Sequence, residues 1–140
     1  MAGYSGTPLA KKLGIKPGSA MFVVAAPGHY DELLAPLPEG VKRVRKIDAA
    51  DVAHFFETSR ARMEKDLRAA VAKMQQDAAI WISWPKKAAK VATDITEDTV
   101  REVALPLGLV DIKVCAVDAT WSGLKLVIRK QLRKPARSRS

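Results

Sequence analysis

The chain has 140 residues, 48% of them hydrophobic and 28% charged, and a mean hydropathy of -0.07. This is the composition of one globular domain with a sizeable core; it excludes a disordered chain, and no apolar run nears the ~18 residues that span a bilayer. One cysteine, Cys115, excludes a disulfide framework and, set in an apolar strand, reads as an inert core thiol. The opening MAGYSGTPLAKKLGIKPG lacks the apolar core of a signal peptide, so the expected compartment is the cytoplasm.

The formal net charge is +9, but its distribution matters more than its total. Six of the 24 basic residues lie in 129–140, and without that stretch 18 basic residues face 15 acidic ones. A nearly balanced body, 1–130, is expected to carry a basic, disordered tail, 131–140. That tail is either a solvated extension or an electrostatic arm for nucleic acid.

Taken in order, Pro8 to Leu13 reads as a short helix closed by Gly14, and Lys16 to Ser19 as a turn. Ala20 to Ala26 is continuously apolar, as a central parallel strand covered on both faces should be. Tyr30 to Leu37 is a short helical piece limited by Pro36 and Pro38. Val41 to Ile47 reads as a polar edge strand and Val52 to Glu57 as a buried one. Only a few residues join these two, whereas a parallel crossover takes a dozen or more. Either they are not neighbours or one is not a regular strand.

Ser59 to Gln76 is amphipathic, with Met63, Leu67, Ala70, Val71 and Met74 on one face and Thr58 or Ser59 as its cap. Ala79 to Trp84 is the next buried strand. A helix capped by Thr96 follows, with Ile95 and Val100 as a staple and Pro106 near its end. Leu109 to Val117 alternates, with Val110, Ile112, Val114 and Ala116 predicted to share a face. Residues 118–123 turn the chain, and 124–130 alternate again, predicting an antiparallel pair. The fold class expected is α/β: a three-layer Rossmann-like sandwich with a mostly parallel sheet of five or six strands and a C-terminal antiparallel strand pair.

Two clusters carry chemistry. Ser83, Trp84, Lys86, Lys87, Thr93, Asp94 and Thr96 combine point charges, hydroxyls and a helix start after a strand, which suits a phosphate or carboxylate. The alternative is a core tryptophan, a terminated strand and solvated lysines. Thr120, Trp121, Ser122 and Lys125, beside Asp118, form a second surface where an exposed tryptophan stacks on a base or a partner; otherwise it folds back over the sheet edge. Gly3, Tyr4, Ser5, Gly6 and Thr7 line a pocket or drape over one. His29 and His54 lack metal-ligand spacing and read as structural, and no pair of carboxylates stands out as a general acid and base. No catalytic or metal site is expected.

GYSGTPLAKKLGIKPGS (3–19) and WISWPKKAAKVATDITEDTVREVALPLGLVDIKVCAVDATWSGLKLVIRK (81–130) together resemble a bacterial family of small proteins of unknown function. A weaker, fold-level resemblance is to class I methyltransferases, through the Lys16–Pro17–Gly18 turn into the first strand and the ending in strand, helix, strand and antiparallel hairpin. The glycine-rich cofactor loop of those enzymes would fall at Val24 to Tyr30, where this chain has VAAPGHY. No acid ends the second strand, VKRVRKI, to hold a ribose. The resemblance therefore implies no bound cofactor, with S-adenosylmethionine disfavoured. The leading expectation is a Rossmann-like module without demonstrable catalysis that binds a small anion or a protein partner, with no membrane partner. The alternatives are a nucleic-acid accessory protein using the tail and Trp121, and a degenerate methyltransferase-like transferase.

Overall fold

The computed structural model describes residues 7–134. Helix α1, Leu9–Lys12, starts behind Pro8 and is closed by Gly14 at φ +79. Strand β1, Ala20–Val24, leads to helix α2, Tyr30–Leu34, and the two-residue strand β2, Lys42–Arg43. Strand β3, Val52–Phe56, is buried throughout. Helix α3, Arg60–Lys73, is capped by the Ser59 hydroxyl accepting from Arg62 N, and buries Met63, Leu67 and Ala70.

Strand β4 is Ala79–Pro85, and helix α4, Glu97–Ala104, begins with a capping box in which Thr96 and Thr99 exchange bonds. Pro106 turns the end of α4 into a tighter 3-10 turn, Leu105–Leu107, which exits through Gly108 at φ +90. Strands β5, Leu109–Ala116, and β6, Trp121–Ile128, form the terminal hairpin.

The six strands make one sheet in the order β2-β1-β3-β4-β6-β5. The first four are parallel, and β6 runs antiparallel to both β4 and β5. Alternation sends Phe22, Val24, Ala53, Phe55, Ile80, Ile82 and Trp84 to the face covered by α3 and α4. Met21, Val52, Phe56 and Trp81 go to the face covered by α1 and α2, where Trp81 Nε1 donates to Leu13 O at 3.0 Å. Three layers result, as the fold class required. Among the described residues no helix is long and apolar enough to cross a membrane.

The short link between the second and third strands is explained by topology. β1 lies between β2 and β3, so residues 44–51 cross over one strand with a single 3-10 turn, Ile47–Ala49, where a helix is the usual connector. The polar stretch 41–47 supplies only two strand residues.

Two strand predictions need correction. Val110, Ile112, Val114 and Ala116 do not form a core face: Leu109 is the fully buried residue, while Ile112 is 55% and Val114 48% exposed. The register shifts between Asp111 and Lys113, and such a bulge breaks the period of two that the prediction relied on. Trp121 is not in the turn either. It opens β6, opposite Pro85, and its ring meets Phe56 edge-on at 5.1 Å.

Candidate functional site

In the sheet order, the chain turns back from β1 to β2 on one side and proceeds through β3 on the other. Open α/β sheets bind ligands outside the carboxyl ends of the strands at such a reversal. The segments there are the loop after β1, the Glu57–Ser59 link into α3, the loop after β4 and the turn between β5 and β6. In the first of these, Ala25 sits at φ +60, a left-handed conformation that costs an L-residue about 1–2 kcal/mol and that glycine adopts freely. The loop after β1 therefore holds an alanine in a conformation that glycine adopts more readily.

The loop after β4 does not gather its predicted residues into one site. Ser83 and Trp84 are buried on opposite faces, Trp84 within the α3/α4 core. Thr93 Oγ1 donates to Thr58 O at 2.7 Å, and Asp94 Oδ1 accepts from Arg60 N at 2.7 Å, so both dock the loop onto the start of α3. Thr96 is occupied by its capping box. Lys86 and Lys87 remain, half-buried and exposed, and the Lys86 backbone N–H donates to Thr120 O at 2.7 Å.

That bond joins the β4 loop to the second predicted cluster. Asp118 organises the turn: Oδ1 accepts from the backbone N–H of Thr120 and Trp121, and Oδ2 lies 2.9 Å from His29 Nε2. Burial raises the Asp118 pKa, but the Trp121 and Thr120 bonds and His29 outweigh it and hold the carboxyl below its ordinary range. His29 therefore reaches across from the β1 loop, a pairing that a separation of 89 residues hides in the sequence. Ser122 follows Trp121 on the other face. Lys125 lies four residues down β6 from Trp121, about 14 Å away, so it is not part of that cluster. Of the N-terminal group, Gly3 to Gly6 lie outside the described residues.

Two buried constellations escape a reading of the sequence. His54 is fully buried, with Nδ1 2.8 Å from Tyr30 Oη and Nε2 2.7 Å from Ser83 Oγ. Burial, with a smaller push from Arg43, lowers its pKa to about 3, so the ring is neutral. One hydroxyl then donates to it and the other accepts from it. The second is Glu57, 1% exposed, which lies beside Asp66 of α3 with Arg62 Nε 3.9 Å from Glu57 and 3.8 Å from Asp66. Burial, then the neighbouring Asp66 carboxyl, raise the Glu57 pKa to about 8 against the pull of Arg62. Glu57 ends a buried strand, and Asp66 lies three residues from Met63 and four from Ala70. Those positions were the signal available.

A cavity of about 570 Å³ opens between residues 45–48 and α3. Phe22, Val24, Ile47 and Phe55 provide its apolar lining, with the two phenylalanine rings edge-on at 5.9 Å. Arg45, Lys46 and Lys73 bring cations, and Asp48 and Asp66 bring carboxylates. None of the three cations forms an ion pair among the described residues. The cavity exists because no helix covers that face between β2 and β3. Among the described residues no group of three or more His, Cys, Asp or Glu is placed to hold a metal.

No family model matches the chain, and no curated protein matches it. Solved structures do. A SAM-dependent methyltransferase from Aquifex aeolicus superposes with a TM-score of 0.60 at 15% identity, over 86% of this chain and 87% of that one. A Sulfolobus solfataricus protein assigned as a type 11 methyltransferase gives 0.59 at 13%, over 94% and 93%. One from Thermoplasma acidophilum, assigned as a methyltransferase, gives 0.53 at 8%, over 89% and 75%. Identities this low show a shared fold: the sheet and its layers are those of the methyltransferase-like Rossmann proteins.

Proposed function

We propose that the chain is a degenerate methyltransferase-like protein of the cytoplasm, related to the uncharacterised bacterial family that residues 3–19 and 81–130 resemble, whose crevice takes an anionic small molecule. The fold supports the methyltransferase-like part of this reading, and the residues at the strand ends support the anionic ligand. S-adenosylmethionine carries a sulfonium cation and a ribose, which favour a glycine-rich approach and an acid at the end of the second strand. Here the tight turn holds Ala25. The end of β2 presents Arg43, tied to Asp31 at 2.6 Å, followed by Arg45 and Lys46 at the mouth of the apolar cavity. These residues do not fit the cofactor.

The carrying observation is this reversal of charge beside a cavity with aromatic residues in its lining. It suits a ligand with a flat apolar body and a phosphate or carboxylate, of which a nucleotide is the simplest probe. Calorimetric titration with AMP, inorganic phosphate and S-adenosylmethionine tests it. AMP should bind, and Arg45→Glu/Lys46→Glu should weaken it at least tenfold while leaving the unfolding midpoint within a few degrees, as expected of surface charges. Micromolar binding of S-adenosylmethionine, or methyl transfer from it, would overturn the reading.

A further inference from the structure

A second basic surface lies on the opposite side of the sheet. The helices there, α1 and α2, pack over a cluster centred on β1, β3 and β4, and the outer strands β6 and β5 continue that face. Lys113 and Lys125 are direct cross-strand partners in the antiparallel pair, so their side chains rise from the same face. Like charges placed opposite each other destabilise a sheet, and no lysine forms an ion pair among the described residues.

More lysines converge on the pair. Lys125 Nζ reaches Gly14, lying 3.5 Å from where a Cβ on that residue would stand. Partial burial, then the charges of Lys113 and Lys16, lower the Lys125 pKa. Burial raises the Cys115 thiol, while the ammonium groups of Lys12, Lys113 and Lys86 pull it back. Asp51 and Asp77 line the cavity of about 420 Å³ below Lys16 and Lys125, and Asp51 Oδ2 accepts from Ala20 N at 2.8 Å. At the other end of this track, half-buried Trp121 lies on the same face, about 14 Å up β6 from Lys125.

We propose that this face binds single-stranded nucleic acid, with Lys12, Lys16, Lys86, Lys113 and Lys125 contacting backbone phosphates and the half-buried Trp121 ring stacking on a base. Repulsion between lysines that form no ion pair among the described residues is relieved when phosphates arrive, and an aromatic ring at the end of a basic track is the arrangement that stacks unpaired bases. The inference does not rest on the small-molecule cavity, which lies on the other side of the sheet.

Fluorescence anisotropy with a labelled single-stranded RNA of about 15 nucleotides tests it, using the full chain over a range of salt concentrations. Binding should weaken steeply with salt. Lys113→Gln/Lys125→Gln should weaken it about tenfold near 50 mM salt and flatten the slope of log K against log salt by about 1.4, or 0.7 per lost phosphate contact. This variant removes a like-charge pair, so its unfolding midpoint should equal or exceed that of the parent, and lost binding would not report unfolding. Lys86→Gln should act in the same direction. Deleting 135–140 separates the distal part of the tail, with Arg137 and Arg139: the double variant must still lose affinity in the shortened chain. The proposal is overturned by unchanged binding in the double variant, by binding that disappears with the tail alone, or by binding to anionic vesicles without binding to RNA.

Discussion

A buried carboxyl beside a second carboxyl is disfavoured as an anion, and Glu57 is buried next to the partly exposed Asp66, with Arg62 alongside both. Because the folded-state pKa of Glu57 is raised, the folded protein holds a proton there that the unfolded chain has released. Stability from this site is complete below the ordinary Glu range and declines as pH rises from about 4.5 to about 8. Glu57→Gln should remove that decline, leaving the variant more stable than the parent at pH 8 by about 2 kcal/mol in urea unfolding; an identical pH slope in both proteins would refute the assignment. His54 acts with the opposite sense: buried neutral, with a pKa lowered to about 3, it favours the fold above the ordinary histidine range and costs stability as pH falls below about 6.5. Tyr30→Phe or Ser83→Ala leaves one ring nitrogen without its partner and should cost about 1–3 kcal/mol, measured as a lowered midpoint. These pairings were not legible in the sequence. His54 and Ser83 belong to strands whose register only the sheet fixes, and no local pattern says that Tyr30 will lie over them.

At the scale of elements, local chemistry was informative and long-range pairing was not. Thr96 before Glu97 and Asp98, Gly14 after a short helix and the apolar stripe of residues 63–74 each predict an element from neighbouring residues, and each element forms. The β4 loop shows the limit. Its hydroxyls and acid looked like ligand groups, yet Thr93 and Asp94 hold the loop to the backbone of Thr58 and Arg60, and Thr96 caps α4. Asp94→Ala and Thr96→Ala should therefore each lower stability by about 1 kcal/mol, as lost caps do, while leaving AMP affinity unchanged. A loss of affinity without a loss of stability would return those residues to a binding role. The bulge at Asp111/Lys113 was equally hidden, since one extra residue in a strand shifts the pattern without changing its composition.

For the whole molecule, continuous apolar strands with intervening helices were enough to give the layered α/β class, and the paired alternating strands gave the antiparallel end. What composition did not reveal was geography. A net charge of +9 read along the chain looked like a balanced body with a basic tail. Folding collects Lys12, Lys16, Lys86, Lys113 and Lys125 from distant segments onto one face, and places Arg45 and Lys46 at a cavity on the other. The margins of the sheet carry a separate consequence. One is β2, two residues long; the other is β5, broken by its bulge beside Lys113. An outermost strand with a long, regular row of free N–H and C=O groups invites a strand from another molecule, and the standard protections are brevity, irregularity and charge. This chain uses brevity on one side and irregularity with charge on the other, so its sheet resists extension into strand-paired aggregates although Ile112 and Val114 lie open on the outer strand.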